Sequence, residues 1–305
     1  MLKNAHLAGI GFSLIFGFSY MLSKVALEHI SPMGLIAYRY LMAFFAIEML
    51  RLLKIIPINL KNRNYKTIAL IVLFQPILYS IFSIYGINLI ASSEAIMMIA
   101  LIPVFSGILG GIVLKEAPSI RQILFILISF GGVVYIQTSL QTVDSPSQPL
   151  GFLLVLLSVM CGAIYNVSSK SASKTMRSID ITYYMMFFGA LTFNILYFTT
   201  LVHQGTPLDY LINLGNLELL APVLYLGILS SVAAFFLLNY ALSKLPAHVV
   251  GIYANLVTVI GIFAGFFILN ENLYYFHFIG SGLIIIGVYG TVSSKKPKML
   301  IKEDI

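Results

Sequence analysis

Tryptophan is absent, cysteine occurs once, and charged residues make up only 10% of the 305 residues. Soluble domains carry about 25% charged residues, because ionised side chains must cover the surface that meets water. With 18 Lys+Arg and 11 Asp+Glu against 59% apolar residues, and a mean hydropathy of +0.97, a water-soluble globule is excluded. The lone Cys161 excludes a disulfide framework and a cysteine-based metal site. Five histidines, His6, His29, His203, His248 and His277, are scattered over loops and the ends of apolar stretches with no HExxH pairing, so no metal site is expected. The chain has no GxxxxGK(S/T) phosphate loop and no GxSxG nucleophile turn, which argues against ATP-driven pumping and hydrolase chemistry.

What the chain has instead is long apolar runs. Ten are read, at about 6–27, 33–53, 67–88, 93–114, 119–138, 150–169, 180–202, 217–240, 247–269 and 274–292. A membrane span takes about 20 such residues, so ten use about 200 and leave no room for a soluble catalytic domain. Pro, Asn, Ser and charge clusters separate the runs, as in INLKNRN at 58–64 and TVDSPSQP at 142–149. The first run is too long for a removable signal peptide and leads straight into further spans. The expectation is an all-α integral membrane protein with ten transmembrane helices.

The distribution of positive charge sets the orientation. With the N-terminus in the cytoplasm, all of the 18 Lys and Arg except Lys24 and Arg39 fall in cytoplasmic segments. The outer loops at 89–92, 139–149, 203–216 and 270–273 contain none. Lys and Arg are retained on the cytoplasmic side during insertion, which predicts N-in/C-in topology in the cell (cytoplasmic) membrane. The net charge of +7 then follows from topology, and no nucleic-acid partner is needed to explain it.

The chain also resembles itself. Shifted by 155 positions, Tyr85 falls on Tyr240, Gly110 on Gly265, Glu116 on Glu271, Gly132 on Gly287 and Val133 on Val288. GFSYMLS at 17–23 resembles GAIYNVS at 162–168, which aligns Tyr20 with Tyr165. Five spans per half is an odd number, so the second copy enters the membrane from the opposite side. Such inverted repeats recur in secondary transporters, with the binding site between the bundles near the midplane. The expected division is 1–138 for the first repeat, 139–149 for an extracytoplasmic linker, 150–293 for the second repeat and 294–305 for a basic cytoplasmic tail. Small residues four apart, Gly107/Gly111, Ser106/Gly110 and Gly261/Gly265, suit close helix packing within the chain, with a dimer face as the alternative.

These features resemble the EamA-like family of the drug/metabolite transporter superfamily. The resemblance rests on two copies of one pattern: a Tyr-Ala-Leu-like start (Tyr85, Tyr240–Leu242), a Gly–x(5)–Glu ending (Gly110/Glu116, Gly265/Glu271) and a following span with a late Gly. GFSYMLSK at 17–24 and AYRY at 37–40 resemble the family's first two spans, although its common Trp is missing and Thr258 stands where the first copy has Pro103. The resemblance implies ten spans, export or exchange of small metabolites, commonly amino acids, and no cofactor. It also implies a cavity lined by spans 1, 3, 4, 6, 8 and 9. Span 1 lacks the mid-membrane Glu of related small multidrug exporters, so proton coupling through that position is unsupported.

An ionisable group near the bilayer centre costs about 3 kcal/mol or more, so each needs a partner, water or a purpose. Lys24, Arg39 and Glu94 fall at a similar outer depth and together fit a zwitterion, a basic group for its carboxylate and Glu94 for its ammonium. The competing reading has Lys24 snorkelling to the interface and Arg39 paired with Glu94 or capping backbone carbonyls structurally. Glu48 is expected to meet Arg51 or Lys54, and Glu28 lies at the edge of membrane depth. Glu116 and Glu271, ending corresponding spans, are gate candidates, with plain solvation as the alternative. Tyr20, Tyr79, Tyr165, Asn166, Asn239 and Asn255 join Lys24, Arg39 and Glu94 as substrate-binding candidates, each equally able to bond helix to helix. Pro76 and Pro103 are expected to break backbone bonding locally beside protein or a wet cavity.

The expected function is a non-enzymatic secondary transporter of amino acids or related zwitterions working by alternating access, as monomer or homodimer. A multidrug or amphipathic-cation exporter of the same fold is the alternative. A membrane-embedded lipid enzyme lacks the clustered acid, base or metal ligands it would need, and a non-transporting scaffold gives intramembrane ionisable residues little reason to exist.

Overall fold

The computed structural model describes residues 2–59, 65–89, 98–99, 101–140, 149–269 and 274–294; the side chains of Tyr20, Lys24, Gln137, Leu140, Leu214 and 265–269 lie outside that description. The described residues contain helices and connections and no strand. We number the main helices α1 (Leu2–Leu27), α2 (Pro32–Leu52), α3 (Tyr65–Leu89), α4 (Ile102–Leu114), α5 (Ile120–Leu140), α6 (Pro149–Ala172), α7 (Ser178–His203), α8 (Leu217–Lys244), α9 (Ala247–Ile252 continuing as Ala254–Leu269) and α10 (Tyr275–Ser293). Among the described residues, eight helices are long and apolar enough to cross a membrane, and the apolar stretches Ile102–Leu114 and Ile120–Ile136 are shorter. The start expected for the fourth span, 93–97, lies outside the described residues.

Local chemistry explains the helix ends. Ser31 has an extended backbone and its hydroxyl accepts from the Gly34 amide at 3.3 Å, while Pro32 supplies a first residue with no amide to satisfy. Lys115 adopts a left-handed φ of 57°, which turns the chain so that the Glu116 amide reaches the Gly110 carbonyl at 3.0 Å and closes α4. A short helix, Asp209–Leu214, precedes α8, whose first turn is capped by Asn216. Between α6 and α7, Arg177 grips Asp180 and the Pro57 carbonyl, and Asp180 accepts from the Asn59 amide, which ties the α2–α3 loop to the start of α7.

Packing crosses between the two halves of the chain. α1 lies against α8 and α9, and α6 lies against α3 and α4; α2 pairs with α7, and α5 with α10. Each pairing has a counterpart when the halves are exchanged. α10 approaches α5 closely at Gly287, where a Cβ would stand 2.5 Å from the Ser129 Cβ and 2.6 Å from the Phe125 carbonyl oxygen. Apolar area drives little helix association in lipid, so such close contact has to come from small residues and interhelical hydrogen bonds. At one end of the bundle Tyr38, Tyr197 and Tyr210 form an edge-to-face cluster, and the Tyr38 hydroxyl donates to the Tyr210 carbonyl at 2.6 Å.

Candidate functional site

A central cavity of about 150 Å³ lies where the halves meet. Its wall comes from the six helices that the family resemblance implied, α1, α3, α4, α6, α8 and α9, and also from α2, which that expectation left out. α2 contributes Leu35, Ile36, Arg39 and Tyr40, so the addition brings the one charged side chain found in the described wall.

Arg39 is held by neutral groups. Its Nε donates to Ser231 Oγ at 2.7 Å and its Nη2 to Ser230 Oγ at 3.1 Å. Its guanidinium carbon lies 5.9 Å from the centre of the Tyr40 ring, within cation–π range. No carboxylate among the described residues pairs with it; the ion pairs there are His29–Glu218, Arg51–Glu48 and Arg177–Asp180. The serines belong to a π-type segment of α8, Tyr225–Ala233. Ser231 Oγ also donates to the Leu226 carbonyl five residues earlier, at 2.8 Å. The helices come this close because residue 227 is glycine: a Cβ there would stand 2.7 Å from the Met42 Cβ and 3.0 Å from the Arg39 carbonyl oxygen.

The rest of the wall is largely apolar. Phe12, Phe16, Phe235 and Tyr165 form a continuous run of ring contacts, with successive centroids 5.9, 5.4 and 6.2 Å apart. Polar atoms enter from α3, which leaves helical geometry at Gln75 (φ −147°, ψ 113°) ahead of a cis bond to Pro76. Gln75, Tyr79, Ser80 and Ser83 all reach the cavity from this helix, and Ser80 meets the Tyr40 hydroxyl at 3.0 Å. Irregular backbone at membrane depth is tolerated where protein or a water-lined space covers it, and α3 meets that condition here.

The structure sorts the candidate residues into three groups. Arg39, Tyr79, Tyr165 and Asn166 line the cavity together, with Asn166 donating to Ser106 Oγ at 3.2 Å. Asn239 and Asn255 are fully buried and are not among the lining residues. Asn239 accepts from Tyr165 (2.7 Å) and Ser169 (2.6 Å) and donates to Thr182 Oγ1 (3.0 Å); Asn255 donates to Ser129 (2.8 Å). Glu94, Glu271 and the side chains of Tyr20 and Lys24 lie outside the described residues. Glu116 sits at the end of α4, its Oε2 buried without a hydrogen-bond partner among those residues. Glu48 pairs with Arg51, as expected, in a two-pronged contact, and the Tyr183 hydroxyl donates to it at 3.0 Å. Pro103 stays in the first turn of α4, whereas Pro76 marks a true break.

Sequence reasoning missed the pair that holds Arg39, Ser230 and Ser231, and the aromatic wall of Phe12, Phe16 and Phe235. A double serine inside an apolar span was a visible signal. The phenylalanines carried none, because rings on a membrane helix face lipid as readily as a cavity. Among the described residues no group of three or more His, Cys, Asp or Glu stands close enough to hold a metal ion. The arrangement suits reversible, non-covalent binding of a small organic anion or zwitterion.

Comparison with known proteins points to transport. The profile of the EamA-like transporter family matches residues 3–138 and 149–293. "Uncharacterized transporter YcxC" of Bacillus subtilis (strain 168) is 32% identical over 305 residues, covering 98% of this chain and 97% of that protein. An uncharacterized transporter of Archaeoglobus fulgidus is 26% identical over 282 residues, covering 92% and 95%. A crystal structure of a protein superposes with a TM-score of 0.76 at 15% identity, over 95% of this chain and 98% of that one, a likeness of fold.

Proposed function

This chain belongs to the EamA-like transporter family, a multi-pass membrane transporter of small molecules rather than an enzyme, and on that premise we propose that its cargo is amino acids or related zwitterions, moved by alternating access around the central cavity. The observation that carries the proposal is Arg39: a guanidinium in the cavity wall, held by two neutral hydroxyls and paired with no described carboxylate. A cation at membrane depth is costly without a counter-charge, and a cargo carboxylate supplies one when it binds. Tyr79, Tyr165 and Asn166 are assigned to the body of the cargo, Glu94 to its ammonium, and Tyr20 and Lys24 to the same outer half. Asn239 and Asn255 are assigned to bracing the wall. Glu116 and Glu271 remain the gate candidates.

The transport cycle follows from the proposed topology. Ten spans with both ends in the cytoplasm are supported by the charge bias of the loops, and an inverted 5+5 repeat by packing that is preserved when the halves are exchanged. The division at 1–138, 139–149, 150–293 and 294–305 is supported by the twofold family match. Tags accessible from opposite sides of the membrane at the two chain ends would overturn the orientation.

Flux of an amino-acid panel across proteoliposomes tests the cargo. Wild-type protein is expected to move at least one zwitterion, and Arg39→Ala to abolish that flux. The aromatic run from Phe12 to Tyr165 favours a second reading, an exporter of amphipathic cations. Cation flux that survives Arg39→Ala, with no amino-acid flux in the wild type, would replace the first reading with the second.

A further inference from the structure

The Arg39 guanidinium has two donor edges, and the protein occupies one of them. The side-on edge, Nε with one Nη2 hydrogen, is taken by Ser231 Oγ at 2.7 Å and Ser230 Oγ at 3.1 Å. Ser231 directs its own hydroxyl hydrogen to the Leu226 carbonyl at 2.8 Å, so it presents a lone pair to the arginine. The end-on edge, Nη1 with the second Nη2 hydrogen, has no acceptor among the described residues, and the side chain lines the cavity.

This grip depends on local features of α8. Ser230 and Ser231 are consecutive, and in a π-type turn successive side chains diverge less than in an α-helix, so both reach one edge of one guanidinium. Gly227 sits one turn away against the backbone of α2 and sets the short distance the hydroxyls need. Two parallel N–H groups in a plane match the two oxygens of a carboxylate; an uncharged amide offers them a single acceptor. Phe12, Phe16 and Phe235 stand in the same wall and suit an apolar body.

Resting on the reading of this cavity as the cargo site, we infer that Ser230 and Ser231 are specificity-determining positioning residues that reserve the end-on edge of Arg39 for a planar carboxylate, so that the cargo class is carboxylates carried on an aromatic or branched apolar body. The serines do not touch the cargo. They keep the guanidinium from swinging, and orientation held in advance need not be established at binding.

The test compares a carboxylate with its uncharged isostere on the full-length purified protein. Thermal unfolding is followed with phenylacetate, isovalerate and L-phenylalanine, and with phenylacetamide in parallel. The wild type is expected to be stabilised by at least one carboxylate and unaffected by phenylacetamide. The Ser230→Ala/Ser231→Ala double variant should need about tenfold more of that carboxylate for the same shift, the equivalent of losing one well-placed charged hydrogen bond. Ser231→Thr, which keeps the hydroxyl, should bind as the wild type does. If the double variant fails to fold, Ser230→Ala alone should still weaken carboxylate binding several-fold. Undiminished binding by the alanine variants, equal stabilisation of the wild type by phenylacetamide, or no stabilisation by any carboxylate would overturn the inference. Flux separates it from the parent proposal: carboxylate binding without amino-acid flux sinks the proposed cargo and leaves the serine grip standing.

Discussion

Helices α3 and α8 stand third in their respective halves and each departs from regular α-helix by a proline, α3 at a kink around Pro76 and α8 in a π-type segment, Tyr225–Ala233, after Pro222, yet they use their polar residues in opposite ways. α3 breaks at Gln75 and sends Gln75, Tyr79, Ser80 and Ser83 to the cavity. α8 remains helical and shows the cavity Leu226, Phe235 and Leu238. Its polar groups hold other helices: Ser230 and Ser231 grip Arg39 of α2, and Asn239 joins Tyr165 and Ser169 of α6 to Thr182 of α7. A polar residue in a membrane helix must stay out of lipid, and facing water or bracing a neighbour satisfies that demand equally well. The pair shows both solutions at corresponding places in one chain.

The comparison breaks if the brace proves dispensable. Asn239→Leu should remove about 2 kcal/mol or more of stability, because it leaves partners on two other helices unsatisfied. The sole cysteine, Cys161, is buried, so the rate at which a maleimide dye labels it on heating reports unfolding directly. Unchanged stability with lost transport would instead place Asn239 among the cargo contacts. Gln75→Leu should do the reverse, weakening cargo binding several-fold while moving the unfolding midpoint by less than the equivalent of about 1 kcal/mol. A large stability loss there would make α3 a brace as well. Ser169→Ala removes one of two donors to the Asn239 carbonyl oxygen and should cost about 0.6 kcal/mol, the average for an interhelical hydrogen bond in a membrane. Its effect on flux should fall within error, since Ser169 is fully buried and absent from the cavity wall.

Much of the fold could be read directly, and the site in part. The expected run at 33–53 is α2 at Pro32–Leu52, and 180–202 is α7 at Ser178–His203. Arg39 stood out because a guanidinium among apolar residues has few explanations. The amides were harder. Gln75 and Asn239 are both buried mid-helix amides, 3% and 0% exposed, with apolar neighbours in sequence. Nothing local separates the one that lines the cavity from the one that lies behind its wall. In water, helical periodicity would point each residue inward or outward. In lipid the outer surface is as apolar as the interior, and that pattern is nearly erased.

Composition and hydropathy alone decided that this chain is helical and lives in a membrane, because the transfer of apolar residues into lipid and the backbone's need for internal hydrogen bonds act segment by segment. The tertiary structure decided which edge of Arg39 is occupied, which amides brace and which rings line the cavity. Those properties depend on residues far apart in sequence meeting at a distance of a few ångströms, as Arg39 meets Ser231 at 2.7 Å across 192 positions.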